Sequence, residues 1–275
     1  MAVASKLIEN NFRMNRLPHI WCPGCGHGII MRGIAEAIEK LGYDKQKVCI
    51  ISGIGCSSRA PGYMDFNTLH TTHGRALAFA TGVKLANPDL KVIVISGDGD
   101  ATAIGGNHLI HAARRNIDIT TIIFNNNIYG MTGGQYSPTT PHGELGTTAP
   151  YGNVDNVFDI CRLAEGAGAT YVARGTVYHA KQLEKNIENA LENKGFSIVE
   201  GISICPTYYG RKNRKGDAAE MMMNLKDTTL DKKVAAKLPP EKVEGKLIIG
   251  EFVNKTHPEF CEEYHKVVDK FMKED

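Results

Sequence analysis

An open, mostly parallel α/β sheet with helices on both faces is the fold this sequence predicts, and three observations predict it. The stretch Val92 to Ser96 reads as a continuous apolar run, as a strand buried on both faces must, and it stops at the tight turn Gly97-Asp98-Gly99-Asp100. A second run, Ile119 to Phe124, stops at Asn125-Asn126-Asn127, and between the two a helix begins at about Ala101. Further apolar runs and helical stretches alternate from Val48 to Ile204, the pattern of parallel strands joined by right-handed crossovers.

In such a sheet the carboxyl ends of the strands share one edge, so the Gly97–Asp100 turn and the asparagine run fall side by side. The N-terminus of the intervening helix offers unpaired N–H groups and the positive end of a dipole, while the acids beside it need a cation before they can face an anion. That combination suggests a diphosphate bridged through a divalent metal, with Asp98 and Asn126 each giving a side-chain oxygen to one hard cation. An acidic glycine turn alone is common on protein surfaces. Gly-Asp-Gly followed by 25 residues and then Asn-Asn, however, resembles the thiamine diphosphate motif. The resemblance implies the thiamine diphosphate-binding (diphosphate domain) fold and Mg2+ held by Asp98, Asn126 and the carbonyl of Ile128. It draws the cofactor site from Gly97, Asp98, Gly99, Asp100, Asn126, Ile128 and Gly130.

The whole chain sets the bounds. Its 275 residues allow a sizeable core, and 42% hydrophobic with 23% charged is ordinary globular composition. A net charge of +2 argues against a dedicated nucleic-acid binder, and the one dense basic run, Arg211 to Lys215, reads as a solvated loop or a partner contact. No stretch approaches the length of a membrane span and the N-terminus lacks an export signal, so a cytoplasmic protein is expected, bound to no membrane. Seven cysteines in such a chain are then metal ligands or buried small hydrophobes rather than a disulfide framework.

Taken in order, residues 1–20 are polar, irregular and stopped by Pro18, suited to wrapping the domain or a neighbour. Trp21-Cys22-Pro23-Gly24-Cys25-Gly26 holds a Cys-x-x-Cys pair in a turn, and Ile29, Ile30, Ile34, Ala37 and Ile38 give helical spacing through Leu41. By itself the pair reads equally as a zinc site, a redox pair or half of an iron–sulfur site. The strand Val48 to Ser52 ends at Gly53-Ile54-Gly55-Cys56, and the β-rich run Phe196 to Ile204 ends at Cys205-Pro206. Cys22, Cys25, Cys56 and Cys205 can therefore converge on the edge that carries the diphosphate site. Cys49, Cys161 and Cys261 fall inside a strand, a helical stretch (Val157 to Ala164) and the charged C-terminus, and read as buried or incidental thiols. Four thiolates beside thiamine diphosphate suit a [4Fe-4S] cluster better than zinc, which has no redox chemistry to offer.

With that pairing, Trp21 to Pro206 resembles the β subunit of the 2-oxoacid:ferredoxin oxidoreductases, most like the 2-oxoglutarate-using branch in the stretches His70–Arg75 and Gly130–Thr140. The resemblance implies oxidative decarboxylation of 2-oxoglutarate to succinyl-CoA, with electrons passed through the cluster to ferredoxin. It further implies an α subunit that brings the pyrimidine-binding domain and its activating glutamate, with small γ or δ subunits as further partners. Glu36, Glu39 and Glu144 are the acids this chain could nominate for that glutamate, and none sits in a matching context. Pyruvate or a broad range of 2-oxoacids is the alternative substrate; a thiamine enzyme with structural zinc and a non-enzymatic metal-dependent assembly module are the more distant readings.

In the loop Leu69 to Arg75, His73 or Arg75 contacts cofactor diphosphate or a substrate carboxylate, the cationic partner such an acid requires. His108 and His111 are ordinary helix positions without a third ligand. Ala76 to Ala86 is a helix of small residues. The glycine-rich stretch Tyr129 to Gln135 lets backbone approach a ligand, and Thr132 is its candidate cofactor contact. The strand Ala169 to Ala173, the helix His179 to Asn193 and the last strand complete a thiamine diphosphate-binding domain at 1–205. Residues 206–275, charged and broken by Pro239-Pro240, are expected as an extended C-terminal arm with little chemistry of its own.

Overall fold

A computed structural model describes residues 3–272. Along the chain these form α1 (Val3–Asn11), α2 (His27–Lys40), β1 (Val48–Ser52), α3 (Ala60–Tyr63), β2 (Asn67–His70), α4 (Ala76–Ala86), β3 (Lys91–Gly97) and α5 (Gly106–Arg115). There follow β4 (Thr120–Asn125), the hairpin β5 (Ile128–Tyr129) and β6 (Gln135–Tyr136), α6 (Ile160–Gly166), β7 (Tyr171–Thr176), α7 (Ala180–Glu192) and β8 (Ser197–Ile202). The C-terminal part supplies α8 (Ala218–Thr228), β9 (Thr229–Asp231), α9 (Lys232–Ala235), α10 (Pro240–Val243), β10 (Leu247–Asn254) and α11 (Phe260–Met272).

Eight strands form one sheet in the order β2-β1-β3-β4-β8-β7-β10-β9, and only the junction of β10 with β7 is antiparallel. The central strands β1, β4, β7 and β8 are buried at every position, and β3 at all but its ends, because both faces are covered. Ile50, Ile93, Ile95, Ile122 and Phe124 face the core that α2 and α7 close with Ile30, Ile34, Leu183 and Ile187. Their neighbours in sequence, Ile51, Val92, Val94 and Ile123, face the second core, closed by Leu77, Leu109 and Ile160 from α4, α5 and α6. The period of two along each strand thus distributes one run between two cores.

Chain direction then fixes the working edge. After β1 the chain moves outward to β2, and after β3 it moves the other way to β4, so strand order reverses between β1 and β3 and opens a crevice at their carboxyl ends. The strands β1, β3, β4 and β8 are consecutive in space, which brings Cys56, Asp98, Asn126 and Cys205 to one edge.

Four expectations change. Residues 3–11 are helical rather than irregular. The start of the His70 loop is an exposed edge strand, β2, which pairs in parallel with β1 although its residues Asn67-Thr68-Leu69-His70 carry almost no apolar signal. The helix after the acidic turn opens with a wide π turn over Asp100–Ile104 and becomes regular only at Gly106. The segment after Pro206 is an extension in the plane of the sheet rather than an arm over it: β10 pairs with β7, β9 pairs with β10, and Ile249 and Val253 are buried.

Beneath the crevice lies a buried ion pair. Arg174 of β7 and Glu200 of β8 are register partners with Nε 2.6 Å from Oε2; Glu200 also accepts from the amide of Asn125 at 2.7 Å, and Arg174 reaches Asp159 at 2.5 Å. Removing the cation leaves Glu200 charged and unpaired in the core. Arg174→Met is therefore expected to lower unfolding free energy by about 3–5 kcal/mol, measured by denaturant titration, while R174M/E200Q recovers part of that loss; equal losses would argue against the pair as the cause.

Candidate active site

The crevice is a cavity of about 370 Å³ whose wall is built from the turns after β1, β3 and β4 and from the β5–β6 hairpin. Of the residues singled out in the sequence, Cys56, His73, Gly97, Asp98, Gly99, Asp100, Asn126, Ile128, Gly130 and Thr132 all line it.

Two acids two positions apart have opposite surroundings. Asp100 is saturated: Oδ1 lies 2.5 Å from His73 Nδ1 and accepts the N–H groups of Gly74 at 2.7 Å and Ile54 at 3.3 Å, while Oδ2 accepts Ser96 Oγ at 2.6 Å. It ties the turns after β1 and β2 to β3. A side chain on Gly53 would meet its carboxylate at 2.2 Å, so only glycine fits there. Asp98 has hydroxyl donors on a single oxygen, Oδ2, from Ser137 at 2.5 Å and Thr139 at 2.6 Å. Among the described residues no cationic side chain pairs with it. Burial outweighs those hydrogen bonds and pushes its carboxyl up to about 6. Beside it, Asn126 is buried with its side chain in no hydrogen bond among the described residues, and Ile128 lines the same wall. Ser57, also on the wall, has a buried hydroxyl without a partner. A buried carboxylate, a free amide oxygen, an orphaned hydroxyl and glycine backbone form a donor set suited to a hard cation carrying an anion.

His73, fixed through Nδ1 and set edge-on to Tyr129 with ring centroids 6.1 Å apart, keeps Nε2 for another partner. Tyr129 in turn donates to the carbonyl of Gly99 at 3.1 Å. Thr132 sits in the exposed hairpin turn and donates to Gln135 Oε1 at 2.6 Å. Arg75 behaves otherwise than expected. It precedes α4 on the surface, its guanidinium lies 2.6 Å from His108 Nε2, and it does not line the cavity.

The four thiols come together next to this wall. The Cys-x-x-Cys turn is closed by the Cys25 N–H to the Cys22 carbonyl at 3.0 Å and docks on the exit of β8 through Gly26 N–H to Ile204 O at 3.4 Å. Trp21 Nε1 anchors the Cys56 carbonyl at 2.7 Å. Burial pushes the Cys25 thiol up to about 12, with Cys205, Cys56 and Cys22 adding to the shift. It pushes Cys56 up to about 11, aided by Cys205, Cys22 and Asp98 and opposed by the Met131 N–H. Cys25 therefore lies in the field of the other three thiols, and Cys56 in that of Cys205, Cys22 and Asp98. A Cβ on Gly130 would stand 3.4 Å from Cys56 Sγ and 3.8 Å from Cys205 Sγ, so this glycine keeps open the space between two sulfurs. Among the described residues no group of three His, Cys, Asp or Glu could hold a single metal ion.

Several residues carried no role in the sequence reading. His27 is buried on the cavity wall, 3.0 Å from Ser203 Oγ and edge-on to Trp21 and Phe124, and burial pushes it down to about 3, so it is neutral. Its place two residues after Cys25, before an apolar helix, was the only signal. Ser57, Ser137 and Thr139 were visible only as members of polar loops.

The family described as "Thiamine pyrophosphate enzyme, C-terminal TPP binding domain" matches residues 53–201. The chain is 55% identical over 258 residues to 2-oxoglutarate synthase subunit KorB of Methanothermobacter marburgensis, covering 94% of this chain and 90% of that one. It is 53% identical over 262 residues to the subunit of the same name from Methanocaldococcus jannaschii, covering 95% and 97%. Among solved structures, 2-oxoglutarate:ferredoxin oxidoreductase from Magnetococcus marinus, with 2-oxoglutarate, coenzyme A and succinyl-CoA bound, superposes with a TM-score of 0.85 at 35% identity, covering 96% and 90%.

Because the folded state raises the Asp98 pKa, this group's contribution to stability is fully present below its unfolded value of 3.8 and is lost as pH rises through about 6. In metal-free protein, the stability of Asp98→Asn relative to wild type should rise by about 2 kcal/mol between pH 4 and 7.5, read by chemical denaturation in chelator. A difference that stays flat with pH would remove burial as the cause.

Proposed function

The chain belongs to the KorB family of 2-oxoglutarate synthase subunits within the thiamine pyrophosphate enzymes, and from that premise we propose how its own residues serve a 2-oxoglutarate:ferredoxin oxidoreductase. The reaction is the oxidative decarboxylation of 2-oxoglutarate with transfer of the succinyl group to coenzyme A, two electrons leaving singly for ferredoxin. The observation that carries this reading is the placement of Cys56, which lines the same cavity as Asp98 while a Cβ on Gly130 would touch both its sulfur, at 3.4 Å, and that of Cys205, at 3.8 Å.

Thiamine diphosphate supplies the carbanion and electron sink that a 2-oxoacid needs to lose carbon dioxide. In our reading Asp98, Asn126 and the Ile128 carbonyl hold Mg2+. The Ser57 hydroxyl and the backbone of Gly97, Gly99 and Gly130 receive the diphosphate side of the cofactor. Asp100 positions rather than binds, since its oxygens are filled, and it leaves His73 Nε2 to hold or move a proton at the substrate. Thr132 and Gln135 are the hairpin's polar contacts. Cys22, Cys25, Cys56 and Cys205 ligate a [4Fe-4S] cluster. Zinc at these thiols would bring no redox chemistry to the site, whereas a cluster would accept electrons one at a time.

Two gaps point to a second subunit. Glu36, Glu39 and Glu144 engage Arg32, Asn11 and Lys215 respectively, and among the described residues the only carboxylates on the cavity wall are Asp98 and Asp100. The acid that activates the aminopyrimidine therefore comes from an α subunit. No lysine or arginine among the described residues lines the cavity, which leaves the distal carboxylate of 2-oxoglutarate to the same partner. We place the complex in the cytoplasm, where seven free thiols stay reduced; no helix among the described residues is long and apolar enough to cross a membrane.

The test is anoxic co-purification with the α subunit, followed by iron, sulfide and thiamine analysis and 2-oxoglutarate-dependent ferredoxin reduction. Cys56→Ser should lose iron and acid-labile sulfide yet retain thiamine diphosphate, and Asp98→Ala should do the reverse, with cofactor affinity down about 100-fold. Colourless wild-type material after reconstitution, or full turnover by the isolated chain, would overturn the reading. His73→Asn should lower kcat with a dye acceptor about 100-fold and leave cofactor content unchanged; a KM effect alone would make His73 a binding group only.

A further inference from the structure

The basic run Arg211 to Lys215 is unused by the site described so far, yet it stands over the thiols. Cys205 opens the loop that carries it, and the Gly210 N–H returns to the Cys205 carbonyl at 2.8 Å, so Arg211 begins one residue from a backbone contact with a cluster position. The far end of the loop closes on the Cys-x-x-Cys turn: a Cβ on Gly24 would stand 2.3 Å from Ala218 Cβ, at the start of α8. Between these anchors the loop is held by Asn213, whose side chain bonds both the N–H and the carbonyl of Leu145, at 2.7 and 3.1 Å. Cys22, Pro23 and Gly24 are exposed beside it, so the sulfur group has one edge open to solvent next to the basic loop.

The charges on that loop are sorted. Lys215 is tied to Glu144 at 2.6 Å, and Asp217 and Glu220 are occupied with each other's backbone in a capping box. Arg211, Lys212 and Arg214 are exposed and have no ion-pair partner among the described residues. These three unpaired cations outnumber the two capping carboxylates, Asp217 and Glu220, so the braced loop carries an excess of positive charge beside the exposed Cys22–Gly24 turn.

We propose that Arg211, Lys212 and Arg214 are the docking surface for the acidic electron carrier that empties the cluster. The proposal rests on the reading above, in which the four cysteines hold that cluster. In the step served, the reduced cluster loses one electron and the oxidised iron–sulfur centre of a small acidic protein gains it; no bond is made or broken and no proton moves. Rim charges of this kind act mainly on encounter, so they set association rate and salt dependence rather than the chemistry behind them.

The experiment uses the anoxic αβ complex and an acidic ferredoxin. R211E/K212E/R214E should raise the KM for ferredoxin and weaken its binding to the substrate-free complex about 10- to 100-fold at low salt, and flatten the salt dependence. Reduction of a small neutral dye should stay within about twofold of wild type, since dye does not need the rim. In wild type, carbodiimide should cross-link Lys212 to ferredoxin carboxylates, a readout that does not depend on the variant assembling. Unchanged ferredoxin binding with dye activity retained, or cross-links from Lys212 to the complex's own α subunit, would overturn the proposal. Wild-type complex without iron would instead overturn the cluster assignment, and this inference with it.

Discussion

The site depends on one under-compensated charge. Asp98 stands at the end of β3 almost without solvent, and a carboxylate moved out of water must be neutralised, paired or bound to metal. An arginine could have paired with it, as Arg174 does with Glu200 on β7 and β8 of the same sheet. The chain instead supplies two hydroxyls on one oxygen, which orient the group without cancelling its charge. The negative field therefore stays available to a bound cation. The surroundings are built to tolerate this: Thr139 Oγ1 also approaches Asn125 Oδ1 at 3.1 Å, Asn125 donates to Glu200, and Glu200 is clamped by Arg174. A row of buried polar groups thus runs from a carboxylate paired with arginine to one that accepts hydrogen bonds but has no cationic partner among the described residues.

Asp100 shows how the same residue type becomes scaffolding when its neighbours differ. Its four donors come from three segments, the turn after β1, the loop after β2 and strand β3 itself. Closing these segments on one carboxylate fixes the mouth of the crevice and the orientation of His73. The wide π turn over Asp100–Ile104 begins at this second acid, and the helix becomes regular only at Gly106.

How much of this the sequence disclosed follows from the kind of signal each feature leaves. The central strands were legible because burial on both faces demands unbroken apolar runs, and the convergence of Cys56, Asp98, Asn126 and Cys205 followed from parallel strands ending on one edge. Strand β2 was hidden because an edge strand with solvent on one flank needs no apolar run, and Asn67 to His70 has none. Strands β9 and β10 were masked by the charged residues around them, although Ile249 and Val253 carry the burial. Side-chain direction left no trace at all. Arg75 and His73 are two apart in one loop, but His73 is drawn inward by Asp100 while Arg75 finds His108 on α5, and neither partner is a neighbour in sequence. Ser57 became informative only once its hydroxyl was seen to be buried without a partner.

The join between the two halves of the site is narrower than either half. Cys56 leaves β1 with its carbonyl held by Trp21 and its thiol facing the Met131 N–H, so it is positioned by the cysteine-bearing N-terminal turn and by the hairpin at once. Gly130, in that hairpin, stands between Cys56 and Cys205 and lines the cavity as well. An added side chain there would enter the space between the sulfurs, while a shift of the hairpin would move the wall that carries Ile128 and Thr132. Geometry on the sulfur side and on the carboxylate side therefore cannot be set independently. A substitution at Gly130 therefore acts on both sides at once, on the contact between the two sulfurs and on the wall of the crevice.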